Sequence, residues 1–177
     1  MASLLIVTGP PGAGKSTVSA LLTRQARQSV LVEGDRFFDF LAEGAIEPWL
    51  PESRYQNEVV TEAAAAATGR FAADYETVYD GVVGPWFLPT FARATGLTEL
   101  DYVVVLPGVE TCLARVQTRV GHGFTDEDAT REMHHEFAVS QVDQRHVLLG
   151  DSMNPEDIVE AIRSARATGH LRHIIDS

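Results

Sequence analysis

The chain has 177 residues, 45% of them hydrophobic and 22% charged, with a single cysteine and a formal net charge of −11. These values are typical of one globular α/β domain over residues 1–177, and the net charge argues against a nucleic-acid partner, because duplex binding relies on Lys and Arg contacts to phosphates. One cysteine allows no internal disulfide and residues 1–7 lack the basic segment of a signal peptide, so we expect a cytoplasmic chain with no membrane partner.

The chain opens with a phosphate-loop pattern. Residues 3–8 predict a short apolar strand, residues 15–27 predict a helix, and a G-x-x-x-x-G-K-[ST] motif lies between them. The motif residues are Gly9-Pro10-Pro11-Gly12-Ala13-Gly14-Lys15-Ser16-Thr17. Glycines let successive N–H groups point at a phosphate chain, and the helix start adds positive potential. The motif therefore predicts a nucleotide site in which Lys15 reaches the β- and γ-phosphates and the Ser16 hydroxyl binds Mg²⁺. The alternative is a Gly/Pro-rich turn that matches by chance.

The rest of the chain alternates predicted strands and helices. Strands are predicted at 30–34, 77–80, 102–106 and 146–149. Helices are predicted at 37–43, 52–74, 86–94, 109–120, 125–141 and from residue 155 onward, and the tail 170–177 is ambiguous. On the longest helix, the predicted buried stripe is Val59, Ala63, Ala67, Phe71 and Tyr75, with Gly69 a tolerated interruption. Such alternation predicts a parallel sheet with helices on both faces and ligands at the carboxyl ends of the strands.

Two aspartates follow predicted strands at that edge. Asp35, after the second strand, is our candidate to orient and deprotonate an acceptor hydroxyl, and its alternative role is a helix N-cap. Asp80 ends the third strand, where a Walker-B-type Asp holds Mg²⁺ through water, and its alternative role is a turn-forming Asp-Gly pair. The neighbouring Arg36 either touches substrate or is solvated.

Arginines beyond the fourth strand indicate a lid over about 119–140. Arg115 and Arg119 lie four residues apart on one helical face, and Arg131 lies beyond the break at 121–123. A helix, hinge and helix of this kind can close arginines over the phosphates and expel water. We favour Arg119 and Arg131 over Arg115 for this role, and the alternative is a solvated charged face.

The acceptor pocket has five further candidates: Trp49, Arg54, Asn57, Trp86 and Phe87. Arg54 and Asn57 lie three apart at the start of the long helix, where they are suited to a polar or anionic substrate. Trp86 follows the third strand, and its alternative role is core packing.

With these residues in place, the chain resembles the small P-loop kinases of the shikimate kinase, gluconate kinase and chloramphenicol phosphotransferase group. The motif at 9–17 is similar to their Walker A, Glu33-Gly34-Asp35 to their strand-2 aspartate motif, and Tyr79-Asp80-Gly81 to the end of their third strand. Residues 119–124 are similar to the lid of gluconate kinases. Residues 150–155 look like the adenine-side loop of the group, which implies that Arg145 or Pro155 borders the base.

The resemblance implies a five-stranded parallel sheet in the order 2-3-1-4-5, with ATP, Mg²⁺ and an acceptor hydroxyl facing Asp35. Residues 46–57 depart from the substrate-binding sequences of shikimate and gluconate kinases, so the resemblance does not identify the acceptor. We therefore expect an ATP-dependent phosphotransferase that acts on a hydroxyl of a small molecule: a metabolite, a sugar acid or an antibiotic. The alternatives are a nucleotide or nucleotide-sugar kinase and, in another class, an NTP-binding regulatory ATPase without a small-molecule acceptor.

Overall fold

The computed structural model of the protein describes residues 3–24, 26, 28–118, 125–151 and 153–175. Strands and α-helices alternate along these residues. The strands are β1 (Ser3–Thr8), β2 (Ser29–Glu33), β3 (Glu76–Asp80), β4 (Glu99–Val105), β5 (Val147–Leu148) and β6 (Arg172–Ile174). The helices are α1 (Lys15–Arg24), α2 (Arg54–Ala72), α3 (Leu88–Thr95), α4 (Val109–Thr118), α5 (Glu127–Val139) and α6 (Pro155–Ala167). Short 3₁₀ helices span Gly34–Phe40, Pro51–Ser53 and Gln144–His146.

The strands form one sheet in the order β2-β3-β1-β4-β5, and these five strands are parallel. The predicted order 2-3-1-4-5 is confirmed. The sequence-based count of five strands omits β6, which pairs antiparallel with β4 and lies in the tail whose pattern is ambiguous. Because the parallel strands share one direction, the segments that follow β1, β2 and β3 meet at one edge of the sheet.

Two apolar clusters cover the two faces of the sheet. Side chains alternate along β1, so Leu4 and Ile6 pack with α2 and α3, whereas Leu5 and Val7 pack with α1 and α6. On the first face the rings of Tyr79 and Phe91 meet edge-on, with centroids 4.6 Å apart. The predicted three-layer α/β architecture is confirmed.

The buried face of α2 differs from the predicted stripe. Val59, Phe71 and Tyr75 are 45%, 44% and 43% exposed. The buried side is displaced by one residue and consists of small or β-branched residues: Val60, Thr61, Ala64, Ala65, Thr68, Gly69 and Ala72. At Gly69 a Cβ would lie 2.0 Å from the Thr95 carbonyl oxygen, so α2 and α3 approach at backbone distance. The predicted stripe is wrong because this helix contact selects small residues and leaves the bulky ones outside.

Two local predictions also need correction. Residues 37–43 do not form an α-helix; the segment after β2 is the 3₁₀ helix Gly34–Phe40. The helix predicted at 125–141 is α5, and it begins later, after its N-cap Asp126, whose Oδ1 accepts a hydrogen bond from the Ala129 N–H at 2.9 Å. The predicted lid residues 119–124, including Arg119, lie outside the described residues.

The N-terminal edge of the sheet, opposite the phosphate loop, is tied together by Arg166 of α6. Its Nε donates to Asp101 at 2.9 Å, its Nη1 to Glu76 at 3.1 Å, and its Nη2 to Ser3 Oγ at 3.3 Å. The Arg166 side chain is only 17% exposed, so these bonds are partly shielded from water. Arg166 therefore links α6 to β1, β3 and β4.

Among the helices that the structure describes, none combines the length and the apolar composition needed to cross a bilayer.

Candidate functional site

The phosphate loop between β1 and α1 is held by β4 and α4. Gly9 and Gly12 have φ of +144° and +76°. A Cβ at Gly9 would lie 2.2 Å from the Val105 carbonyl oxygen, and one at Gly12 would lie 2.2 Å from the Cys112 carbonyl oxygen. Neither position admits a side chain, so the loop conformation depends on glycine at both.

Lys15 lies across the loop. Its Nζ donates to the carbonyl oxygens of Gly9 at 2.9 Å and Pro10 at 3.0 Å. These bonds hold the ammonium at the loop that the sequence assigns to phosphates.

Arg115 of α4 is the lid arginine that the structure brings to the loop. Its Nη1 donates to the Ala13 carbonyl oxygen at 3.2 Å and approaches that of Gly12 at 3.4 Å. Arg131 lies elsewhere, in an exposed ion pair with Glu110 at 3.0 Å. The structure therefore places a second cation beside the loop at the position that sequence reasoning ranked below Arg131.

Ser16 and Asp80 meet beside the loop. Asp80 ends β3, is 7% exposed, and pairs in register with Val7 of β1 and Glu33 of β2. Burial raises the pKa of Asp80, whereas Lys15 and a hydrogen bond from Ser16 act to lower it. Asp80 Oδ1 has no hydrogen-bond partner among the described residues, although the atom is buried.

This pair fits a magnesium ion. Mg²⁺ prefers hard oxygen ligands and keeps several of its waters, so it needs few protein ligands. A hydroxyl, a carboxylate and an unpartnered buried carboxylate oxygen provide that chemistry at the edge of the phosphate loop. Ser16 and Asp80 are therefore the residues of this chain that would hold the metal.

Asp35 follows β2 at the same edge of the sheet, and its side chain is exposed. It is the second residue of the 3₁₀ helix Gly34–Phe40, whose N-cap position is Glu33, so the N-cap alternative for Asp35 is wrong. Gly34 packs onto Tyr79, because a Cβ at Gly34 would lie 2.1 Å from the Tyr79 hydroxyl. Burial raises the pKa of Tyr79 far above its usual value, and the charges of Asp35 and Asp80 add to the effect. Tyr79 is therefore a neutral support, and the carboxylate of Asp35 is available to a substrate.

Polar side chains order the segment that joins Asp35 to α2. The Asn57 amide donates to the Pro48 carbonyl oxygen at 2.7 Å and to Ser53 Oγ at 2.9 Å. Gln56 bonds both the N–H and the carbonyl oxygen of Ile46, at 2.8 and 2.7 Å. Asn57 thus has a structural task that its sequence position does not reveal.

The two arginines of this segment differ in their contacts. Arg36 forms an ion pair with Glu33 at 3.4 Å, and both side chains are more than half exposed. Arg54 is also exposed, and within the described parts of the chain it forms no ion pair.

The turn after β3 is pinned from two strands and presents Trp86. The Val83 N–H donates to Thr8 Oγ1 at 2.8 Å, and the Tyr102 hydroxyl donates to the Val83 carbonyl oxygen at 2.8 Å. Trp86 is 38% exposed and packs against Phe137 of α5, with ring centroids 5.1 Å apart. The sequence analysis did not single out Thr8, Tyr102 or Phe137. For Thr8 the sequence does contain a signal, because a threonine ends an otherwise apolar strand.

The predicted adenine-side residues, Arg145 and Pro155, have structural contacts of their own. Arg145 pairs with Asp143 at 3.1 Å and lines a cavity of about 220 Å³ between β4, β5 and α6, which contains no phosphate-loop residue. Pro155 is the first residue of α6, behind the cap formed by Asn154. Asp151 instead bonds the start of α4, accepting from the Gly108 N–H at 2.6 Å. The roles of Arg145 and Pro155 toward the base stay predictions.

Comparison with known proteins gives a family and a fold. The sequence profile of the AAA domain family matches residues 4–140. No curated protein matches the chain in sequence.

Three solved structures illustrate the fold. The tunicamycin resistance protein of Deinococcus radiodurans superimposes with a TM-score of 0.70 at 14% identity, over 100% of both chains. A sugar kinase from Janibacter gives 0.66 at 14% identity, over 94% of both chains. A gluconokinase from Sinorhizobium meliloti gives 0.62 at 18% identity, over 94% of this chain and 93% of that one. At these identities the likeness establishes a shared P-loop fold.

Proposed function

The chain belongs to the AAA domain family, and from that premise we propose that it is an ATP-dependent phosphotransferase that acts on a hydroxyl group of a small molecule. The observation that carries the proposal is the meeting of Ser16 with the buried Asp80 beside Lys15, with the exposed carboxylate of Asp35 at the same edge. The first group of residues suits a nucleotide with its metal, and Asp35 supplies a base on the open side.

The nucleotide half of the site uses the loop and its cations. The backbone N–H groups of residues 12–17 point toward the β- and γ-phosphates, and Lys15 moves from the carbonyl oxygens of Gly9 and Pro10 to the phosphate oxygens. Arg115 is close enough to the loop to add positive charge. Ser16 and Asp80 would hold Mg²⁺ there, and the ion would neutralise the phosphate charge that develops during transfer.

The transfer step is a displacement at the γ-phosphorus. Asp35 accepts the proton of the acceptor hydroxyl as the new O–P bond forms. The bond between the γ-phosphorus and the bridging oxygen breaks, and its electron pair stays on the β-phosphate of ADP. Lys15 and Arg115 stabilise the charge on the transferring group.

The other predicted residues have proposed places around this centre. Arg119 and Arg131 belong to the lid, and Arg131 must leave its ion pair with Glu110 to reach the phosphates. Arg145 or Pro155 borders the base. Arg36, Arg54, Asn57 and Trp86 surround the acceptor.

The structural neighbours support a small acceptor, since a sugar kinase and a gluconokinase are among them. A deoxyadenosine kinase from M. mycoides also superimposes, with a TM-score of 0.59 at 13% identity, and it makes the nucleotide-kinase alternative the second candidate.

The test measures ADP formation with a panel of alcohols, in the wild type and in Asp35→Asn. We expect at least one alcohol to accelerate ADP formation above the water background, and Asp35→Asn to lower that gain about 10²- to 10⁴-fold, as for loss of a general base. Asp74→Asn is the matched control, because Asp74 is exposed and precedes β3, at the end of the strand opposite Asp80. A gain that survives in Asp35→Asn would remove Asp35 from the step.

Nucleotide binding is checked independently through Lys15, which is the only lysine of the chain. An amine-selective reagent should modify Lys15 and the N-terminus, and saturating Mg·ATP should protect Lys15. Undiminished labelling would contradict the nucleotide site. Protection without acceleration by any alcohol would contradict the phosphotransferase and favour the regulatory ATPase.

A further inference from the structure

Residues 33–57, beside which we place the acceptor because they include Asp35, form a strongly acidic segment. Residues 33–57 carry six carboxylates and two guanidiniums, and all eight side chains belong to exposed residues. The carboxylates belong to Glu33, Asp35, Asp39, Glu43, Glu47 and Glu52. The two guanidiniums belong to Arg36 and Arg54.

Two groups with hydrogen-bond donors suited to an anion are already engaged. The Arg36 guanidinium is paired with Glu33 at 3.4 Å. The Asn57 amide nitrogen has two hydrogens, and it donates to the Pro48 carbonyl oxygen and to Ser53 Oγ. Asn57 therefore keeps only its carbonyl oxygen Oδ1, an acceptor with no partner among the described residues.

Apart from the ion pair between Arg36 and Glu33, this segment has one guanidinium, that of Arg54, and five carboxylates. Recognition of a carboxylate or phosphate needs several convergent donors, and bidentate arginine is the usual one. This segment instead offers mostly hydrogen-bond acceptors, which suit hydroxyl and ammonium groups.

The negative charge extends to the transfer point. Glu33 pairs in register with Asp80 across β2 and β3, and Asp35 follows two residues later. Residues paired in register point to the same face of a sheet, so Glu33 lies beside Asp80. The charges of Glu33 and Asp35 both act to raise the pKa of Asp80, whereas Lys15, which we assign to the phosphates, acts more strongly to lower it. An anionic group carried by the acceptor would therefore meet like charge at the place where its hydroxyl must react.

Resting on the proposed function, we propose that the phosphoryl acceptor is an alcohol without a carboxylate or phosphate group, and that an ammonium group near its hydroxyl strengthens binding. Of the acceptor classes that the sequence left open, this selects uncharged or cationic alcohols and disfavours sugar acids and nucleotides. Each carboxylate within about 6 Å of the substrate charge changes the apparent affinity by about three- to tenfold.

The test uses matched sets of alcohols that differ only in charge. One set is glucitol, 1-amino-1-deoxyglucitol and gluconate. The second is 2-phenylpropane-1,3-diol, 3-amino-2-phenylpropan-1-ol and 3-hydroxy-2-phenylpropanoate, and its phenyl group matches the exposed Phe40 and Tyr55, each 78% exposed. ADP formation with each compound gives kcat and KM at two salt concentrations.

We expect the cationic and neutral members to be accepted with KM at least tenfold below that of the anionic member. The difference should shrink as salt rises, because screening weakens exposed charges. A lower KM for the anionic member of either set would overturn the inference and leave the phosphotransferase standing. Absence of acceleration by all six compounds, with Lys15 still protected by Mg·ATP, would contradict the phosphotransferase itself.

A pair of variants separates local charge from net charge. Glu33→Gln removes one carboxylate and releases Arg36, so the preference for the cationic over the anionic member should fall about three- to tenfold through KM. Glu160→Gln makes the same change on the exposed surface of α6 and should leave the preference unchanged. An equal effect of both variants, or no effect of Glu33→Gln, would overturn the inference.

Discussion

Replacement of Asp80 by asparagine should stabilise the protein while removing its response to Mg·ATP. The carboxylate is 7% exposed, and its Oδ1 has no partner among the described residues. Asparagine has the same shape without the charge, and its oxygen still accepts the hydrogen bond from Ser16. The asparagine amide nitrogen takes the place of the unpartnered Oδ1, so the variant removes the buried charge but keeps a buried polar group. Because a buried charge costs more than a buried amide, we expect the free energy of unfolding at pH 7 to rise by about 1–3 kcal/mol.

The pH dependence of this effect has a definite sign. Burial raises the pKa of Asp80 above its value in the unfolded chain, which is about 3.9 for an ordinary aspartate. The penalty of the ionised group is therefore absent below the unfolded pKa, grows as pH rises toward the folded pKa, and is complete above it. The stability difference between Asp80→Asn and the wild type should be largest near neutral pH and should close as pH falls toward 4.

The assay is urea unfolding between pH 4 and 8 together with thermal unfolding with and without Mg·ATP. At this chain length 1 kcal/mol corresponds to about 2–4 °C in Tm, so the apo variant should melt several degrees higher. Mg·ATP should raise the Tm of the wild type, because a ligand of the folded state stabilises it. Mg·ATP should raise the Tm of Asp80→Asn much less. Asp39→Asn, the control at an exposed site, should match the wild type in its apo Tm and in the rise of Tm with Mg·ATP. A destabilised variant, or a difference that does not vary with pH, would refute the reasoning about Asp80.

Two further predictions concern the loop and the opposite edge of the sheet. Gly12→Ala should abolish nucleotide binding and lower the free energy of unfolding by about 2–4 kcal/mol, because its Cβ would lie 2.2 Å from a carbonyl oxygen at a φ of +76°. Gly96→Ala is the control: its φ of +69° is similar but its Cβ would lie in open space, so it should cost only about 1–2 kcal/mol. Equal losses in urea unfolding would show that strain alone matters. Arg166→Gln should lower the free energy of unfolding by about 1–3 kcal/mol by breaking two partly buried ion pairs, whereas Arg70→Gln, which breaks one exposed pair, should have no measurable effect. Nucleotide binding should be unchanged in Arg166→Gln, and its loss would mean that the two edges are coupled.

The sequence by itself determined the nucleotide half of this protein. The motif at 9–17 is contiguous, and its loop requires glycine where the backbone passes β4 and α4. Asp35 and Asp80 were located because each follows a strand, and parallel strands bring their carboxyl ends to one edge. The strand order came from the resemblance to the small P-loop kinases and agrees with the structure.

Only the tertiary structure decided which side chains are free to act. Asn57 reads as a substrate ligand in the sequence, but its donors are taken by Pro48 and Ser53. Arg115 rather than Arg131 reaches the loop. Arg115 lies on α4, which passes the loop, and bonds the Ala13 carbonyl oxygen, whereas Arg131 is held in its ion pair with Glu110. The buried face of α2 was misjudged because a close contact between helices selects small residues over hydrophobic ones. Local patterns specify backbone conformation, whereas the partners of a side chain depend on segments that are distant in sequence and adjacent only in the folded chain.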